Sequence, residues 1–386
     1  MRWFNIEKLR KNLTERNERD VARGTITCSQ IIVNQCGKRV FQAEFGTNGV
    51  NGEPLASNAT FRIASMTKPV TAFAVLLEVE RGRIDLQAPI TKYLQGYDNL
   101  PIARLVDGEL QVTGKNKTPI RVFHLLSHTS GIEMGDIIEA VTAKMDESQR
   151  QSLKDVVEYF ADKPVFFETG TAQSYGPHVA LDIAARIVEI VSGQDFNTYV
   201  KENIADVIGM KDTTFMPTAE QWSRIVIQHM LDENGNAADA PIDYAHIYGS
   251  HPLTYFSGGA GLMSTAEDYS LFAETLLNGG VAPNGKRVIG EEFLKEMYTP
   301  HCPLEFMDAG SQSVGVTWGL GVRLFAQENG NLPKGSFGWS GAYGSHFWVD
   351  PVNKITAIYM KNSLSNVGDG AKTIENFETD IMNSLE

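Results

Sequence analysis

The strand signals of this chain sit at its two ends with a long helical stretch between them, and that arrangement restricts the fold more than any other feature. Residues 25–34 and 39–45 are rich in β-branched and apolar residues and are split by Gln35-Cys36-Gly37-Lys38, the pattern of a hairpin. Strand signals return only at 317–325, 336–339, 343–349 and 354–359, with Asp350-Pro351-Val352-Asn353 as a turn between the last two. Short strands joined by tight turns pair antiparallel, so the two ends are expected to build one antiparallel sheet.

Helical periodicity fills much of the rest. Phe4, Ile6, Leu9 and Leu13 among charged neighbours predict an amphipathic helix over 4–22. Residues 66–81 are apolar on most faces (Val70, Phe73, Leu76, Leu77) and stop at Gly82, as a helix buried in the interior would. From about 86 to 255 the signals are mainly helical: Thr118-Pro119 ahead of Phe123, Ser152 with Asp155, and Pro177 opening a run that ends at Gly193. Ser264 with Glu267 reads as a capping box for a helix closed by Gly279 and Gly280, and a last helix starts near Lys372. The 386 residues are enough for two intergrown units, drawn here as 1–85 with 255–386, and 86–254.

Composition removes several classes of function. With 34 Lys and Arg against 47 Asp and Glu the net charge is −13, which repels phosphate backbones and anionic lipid, so neither nucleic acid nor a membrane is an expected partner. No window approaches the roughly 20 apolar residues of a membrane helix, and the first 23 residues contain no leader-like apolar stretch, so a cytoplasmic location is expected. Three cysteines, Cys28, Cys36 and Cys302, make no disulfide framework.

The chemistry concentrates at Ser65-Met66-Thr67-Lys68, the sole Ser-x-x-Lys in the chain, at the entrance of the buried helix. Residues three apart share a helix face, so the Lys68 amine falls beside the Ser65 hydroxyl. Pro69 is tolerated only in a first turn, which fixes Ser65 at the helix start. A serine hydroxyl needs a positioned base to become a nucleophile, and an amine serves as one where burial favours its neutral form.

Three further segments accompany Phe61-Arg62-Ile63-Ala64-Ser65-Met66-Thr67-Lys68-Pro69: His124-Leu125-Leu126-Ser127-His128-Thr129-Ser130-Gly131, Ser257-Gly258-Gly259-Ala260-Gly261-Leu262-Met263-Ser264-Thr265, and Trp339-Ser340-Gly341-Ala342-Tyr343-Gly344 followed by Phe347-Trp348-Val349-Asp350-Pro351. In this order they resemble the serine β-lactamase and penicillin-binding-protein superfamily, class C-like, and within it the family VIII carboxylesterases. The resemblance implies an α+β fold, serine β-lactamase-like, with an antiparallel sheet flanked by helices plus an all-helical domain. It implies Ser65, Lys68 and Tyr175 as catalytic residues, an oxyanion hole at the backbone N–H groups of Ser65 and Ala342, and Trp339, Gly341 and Tyr343 as substrate-binding residues. Tyr97-Asp98-Asn99 also contains a tyrosine of suitable type, but it lies only 32 residues after Ser65, before the helical insertion proper, and is assigned to a loop.

Two departures point away from antibiotics. Pro177 stands where the lactamase form carries an asparagine, and the family's Lys-Thr-Gly is absent, with Trp339-Ser340-Gly341 in its place. A tryptophan offers an apolar wall and one N–H where lysine would bind a carboxylate, so uncharged acyl groups are expected. The expected activity is therefore hydrolysis of small carboxylic esters through an acyl-enzyme, with no cofactor and a small-molecule ester as the partner. The alternatives are a β-lactamase or D-amino-acid peptidase of the same superfamily, or a non-catalytic scaffold. His124 and His128 lack the third ligand of a zinc site, no serine has the flanking glycines of a nucleophile elbow, and Gly258-Gly259-Ala260-Gly261 lacks the lysine of a phosphate loop and reads as a tight passage beside the site. The sequence is silent on oligomeric state.

Overall fold

The computed structural model of the chain describes residues 1–132, 135–176, 178–235, 237–240, 254–307, 315–327, 331–364 and 372–386. Asn5 accepts a hydrogen bond from the Lys8 N–H and so opens helix α1 (Ile6–Ala22), whose buried Leu9 and Leu13 confirm the amphipathic reading. Strands β1 (Cys28–Gln35) and β2 (Lys38–Gly46) follow. Their turn puts Cys36 at φ 52° and Gly37 at φ 72°, the doubly left-handed geometry whose twist suits a two-residue hairpin.

The last third supplies β3 (Val316–Trp318), β4 (Arg323–Phe325), β5 (Phe337–Ser340), β6 (His346–Asp350) and β7 (Ile355–Met360). The sheet runs β2-β1-β7-β6-β5-β4-β3 with every neighbouring pair antiparallel. The two ends thus meet where β1 pairs with β7, Ile32 opposite Ile358. The run 317–325, read from sequence as one strand, is instead two. It doubles back through Gly319-Leu320-Gly321, because a Cβ at Gly319 would lie 2.1 Å from the Met297 carbonyl and Gly321 takes φ 71°.

One face of the sheet carries the larger core, with α2 (Thr67–Glu80), α3 (Val179–Ser192) and α4 (Ala266–Leu277) packed about Phe73, Leu76, Ile187, Tyr269 and Phe347. The other face is closed by α1 and α5 (Thr373–Met382), which bury Leu9, Leu13, Phe377 and Ile381 against Ile31, Val33 and Trp348. Alternation along β1 explains both: Ile32 points to one core, Ile31 and Val33 to the other. Arg16 on α1 pairs with Asp380 on α5 across this outer layer.

The cap of α4 is one residue later than the sequence suggested. Thr265, not Ser264, accepts from the Asp268 N–H, because Ser264 is held in a two-residue strand opposite Phe61 and its hydroxyl bonds Thr213. The stretch assigned to helices also carries strands. Pro101–Val106 and Glu109–Lys115 form a hairpin about Asp107 and Gly108, both at positive φ, and His229–Leu231 pairs with Ala237–Asp239. The helical domain is therefore not all-helical; the Asp-Gly pair between alternating residues was the overlooked signal. Tyr97 lies in a loop with its hydroxyl on the Val157 carbonyl at 2.7 Å. Pro177 lies outside the described residues. Among the described residues no helix is long and apolar enough to cross a membrane.

Candidate active site

Ser65 sits on a single 3-10 turn, Ala64–Met66, and α2 begins two residues later at Thr67, so Pro69 occupies the first turn as its chemistry requires. Ala64 holds φ 43°, a left-handed conformation that costs a non-glycine residue on the order of 1 kcal/mol and that marks functional sites. Neighbouring segments fasten this corner. The Tyr269 hydroxyl donates to the Met66 carbonyl at 2.7 Å, the Leu262 N–H to the Thr67 hydroxyl at 3.1 Å, and the Thr71 hydroxyl to the Gly258 carbonyl at 2.7 Å.

Three predicted side chains converge here. Lys68 Nζ donates to Ser65 Oγ at 3.1 Å, and the Tyr175 phenol lies 2.8 Å from the same oxygen. Lys68 is fully buried, its amine 5.0 Å from the centre of the Tyr175 ring and 2.9 Å from the Gly259 carbonyl. The Trp339 indole N–H donates to the Tyr175 oxygen at 3.2 Å. The ring of Tyr175 is clamped by Trp318, stacked at 5.6 Å, and by His128 at 4.8 Å.

A cavity of about 340 Å³ opens over Ser65. Tyr175, Trp339, Gly341, Ala342 and Tyr343 line it, so the predicted binding and oxyanion residues share one wall system with the serine. Gly341 is obligatory. A Cβ there would lie 2.4 Å from the Ile63 carbonyl, so only glycine lets this segment pack against the residue two positions before Ser65. Among the described residues, none that lines the cavity is Asp, Glu, Lys or Arg.

Sequence reasoning missed four lining residues, Ala64, His178, Ala260 and Ser340, and one residue behind the wall, Asp182. Burial, with the Lys68 charge adding, pushes the His178 imidazole down to about 3, so it meets the cavity uncharged. Asp182, buried on α3, accepts from Ser257 Oγ at 2.8 Å, from the Gly259 N–H at 3.2 Å and from the Tyr255 hydroxyl. It therefore holds the segment whose Gly259 carbonyl receives the Lys68 amine. Burial pushes its carboxyl up to about 6 against those hydrogen bonds. A lone carboxylate inside the apolar run Val179-Ala180-Leu181-Asp182-Ile183-Ala184 was the signal that could have found it. The glycine passage is tight, since a Cβ at Gly258 would meet the Leu181 carbonyl at 2.6 Å.

The two histidines considered for a metal have other tasks. His124 Nδ1 accepts from the Arg121 N–H at 3.0 Å, and His128 packs behind Tyr175 with its imidazole pushed well down by burial. Among the described residues no cluster of three His, Cys, Asp or Glu could hold a metal ion.

Known proteins share this arrangement of chain. The model of the beta-lactamase family matches residues 9–377. Esterase EstB of Burkholderia gladioli is 26% identical over 355 residues, which cover 84% of this chain and 82% of that protein. Among solved structures, EstCE1, described as a hydrolase with promiscuous acyltransferase activity, superposes with a TM-score of 0.79 at 18% identity over 98% of both chains. A family VIII carboxylesterase does so with a TM-score of 0.74 at 20% identity, covering 98% of this chain and 97% of the other.

Proposed function

The chain belongs to the beta-lactamase family, and from that premise we propose that it hydrolyses carboxylic esters of small uncharged acyl groups through an acyl-enzyme on Ser65. The observation that carries this reading is the pair of contacts on one oxygen, Lys68 Nζ at 3.1 Å and the Tyr175 phenol at 2.8 Å from Ser65 Oγ. A proton leaving Ser65 then has two acceptors in reach, the amine in its neutral form and the tyrosine oxygen as phenolate.

Ser65 Oγ attacks the ester carbonyl carbon while its proton passes to this pair. The backbone N–H groups of Ser65 and Ala342 receive the oxyanion, the carbon–oxygen bond to the alcohol breaks, and the alcohol leaves with the proton. Water attacks the acyl-serine, gives a proton to the same pair, and the acid departs as that proton returns to Ser65. Lys68 and Tyr175 share the role of base. Among the described residues no Asp, Glu, Lys or Arg lines the cavity, which supports an uncharged acyl group, because an ionised substrate group would lose its hydration with no opposite charge there to receive it.

The test has two arms. Mass spectrometry after treatment with a fluorophosphonate should find the adduct on Ser65 and nowhere else. Turnover of 4-nitrophenyl butanoate should exceed that of a cephalosporin and of a D-alanyl-D-alanine peptide. Faster cephalosporin or peptide cleavage would move the assignment to a lactamase or peptidase, and an unlabelled, inactive protein would mark a non-catalytic scaffold.

A further inference from the structure

A second hydrogen-bonded chain reaches the cavity from the side of the sheet. Ser340, at the end of β5, is partly exposed and lines the cavity. Its Oγ lies 3.0 Å from His346 Nδ1, its register partner on β6. His346 is fully buried, and its Nε2 lies 3.1 Å from Oε1 of Glu378 on α5. Arg323 on β4 donates to the same carboxylate oxygen at 2.8 Å. Ser, His and Glu are thus joined in series, ending on an ion pair, and nothing in the reaction at Ser65 uses them.

The positions of the hydrogens follow from the donor inventory. Burial alone would raise the Glu378 carboxyl, yet the hydrogen bond from His346 and the Arg323 charge hold it below the usual carboxylate range, so it is ionised and only accepts. Nε2 of His346 must therefore carry a hydrogen. Burial lowers the imidazole and the Arg323 charge adds to it, against Glu378 and the Trp339 backbone, so with its hydrogen on Nε2 the neutral ring presents Nδ1 as a lone pair. The one hydrogen able to fill the 3.0 Å contact belongs to Ser340. Its hydroxyl donates inward and turns lone pairs toward the cavity.

We propose that Ser340 is a specificity-determining residue, a fixed hydrogen-bond acceptor held by His346 and Glu378 as positioning residues, which selects esters bearing an O–H or N–H donor close to the scissile group. A serine free to rotate could offer its hydrogen to a substrate carboxylate; this one cannot without breaking its bond to His346 and leaving a buried nitrogen unpaired. The cavity therefore favours hydroxy- or amido-substituted acyl groups over plain ones and rejects carboxylates. The proposal rests on Ser65 acting as an esterase nucleophile.

The experiment compares kcat/KM for 4-nitrophenyl butanoate with that for the same ester carrying a hydroxyl at carbon 2, 3 or 4, with rates corrected for the uncatalysed reaction. For at least one hydroxyl position the preference for the hydroxy ester over plain butanoate should fall about fivefold or more in Ser340→Ala, the size of one neutral hydrogen bond, and be kept in Ser340→Thr. His346→Phe, which frees the Ser340 hydroxyl to rotate, should lower the preference in the same direction. If that variant does not fold, the two Ser340 variants decide alone. A preference unchanged in Ser340→Ala at every position, with butanoate still cleaved, overturns the proposal and leaves the ester reading standing. No cleavage of any ester by the wild-type protein, with Ser65 unlabelled, overturns both.

Discussion

Two walls of one cavity carry hydrogen-bonded chains that begin on a serine and differ in where they end. On one wall Ser65 meets Lys68, three positions away, and Tyr175, 110 positions away, and Lys68 also reaches the Gly259 carbonyl. On the other, Ser340 meets His346, six positions away, which meets Glu378, 32 positions further, and the chain closes on the Arg323 guanidinium. In the first chain an amine and a phenol meet one hydroxyl oxygen, the arrangement that moving protons requires. A chain that ends on an ion pair pins them. The first arrangement suits chemistry and the second suits recognition, and the contrast lies not in the serine that heads each chain but in what stands behind it.

The largest test of this contrast is Ser65→Ala, which should lower ester hydrolysis by roughly 10⁴-fold or more. Residual turnover above about 1% of wild type, measured with 4-nitrophenyl butanoate, would mean that the first chain is not the reactive one. Tyr175→Phe comes next. It keeps the ring between Trp318 and His128 and removes only the oxygen, so kcat should fall on the order of 10²-fold with KM within about twofold. A loss carried mainly by KM would make Tyr175 a binding residue instead.

Asp182→Asn sharpens the comparison from behind. It keeps the shape of the group that holds the Gly259 segment but removes its charge, and kcat should fall about tenfold with the protein still folded. Its stability signature has a definite sign. The folded carboxyl titrates near 6, above its unfolded value of about 3.9, so its stabilising contribution is full below about pH 4 and is lost as pH rises through 6. Glu78 and Glu378, both held low, work in the opposite sense: their contributions exist above their unfolded values and vanish in acid. The difference between wild type and variant isolates Asp182: from pH 4 to 7 the urea midpoint of Asp182→Asn should gain on that of the wild type. A constant gap between the two curves would show that the carboxyl is not displaced.

The smallest effect on turnover belongs to the outer layer. Leu13→Ala, between α1 and the sheet, should cost about 2–5 kcal/mol of stability by urea unfolding, with kcat of the folded fraction unchanged. A change in kcat would mean that the outer face of the sheet communicates with the cavity.

What could be read before folding follows the same division. Ser65 and Lys68 were legible because they stand three positions apart at a helix start and Pro69 fixes the turn. Tyr175 came from resemblance alone, since no local pattern ties it to a residue 110 positions away. Thr265 and Ser264 both have an acidic residue three positions on, and only the pairing of Ser264 with Phe61 decides between them. The Ser340 chain was illegible for a stronger reason. It needs the register of β5 on β6 and the docking of α5 against both, neither of which any stretch of sequence states by itself.

The join between β1 and β7 also governs how the protein can be made. A ribosome adding about 5–20 residues per second releases the first hairpin tens of seconds before the strand that completes it. Through that interval the nascent chain presents an unsatisfied β-edge, and Ser65, already synthesised, lacks the Trp339 and Ala342 that line the cavity with it. The cavity over Ser65 is thereby withheld until β5 and the turn after it have been translated.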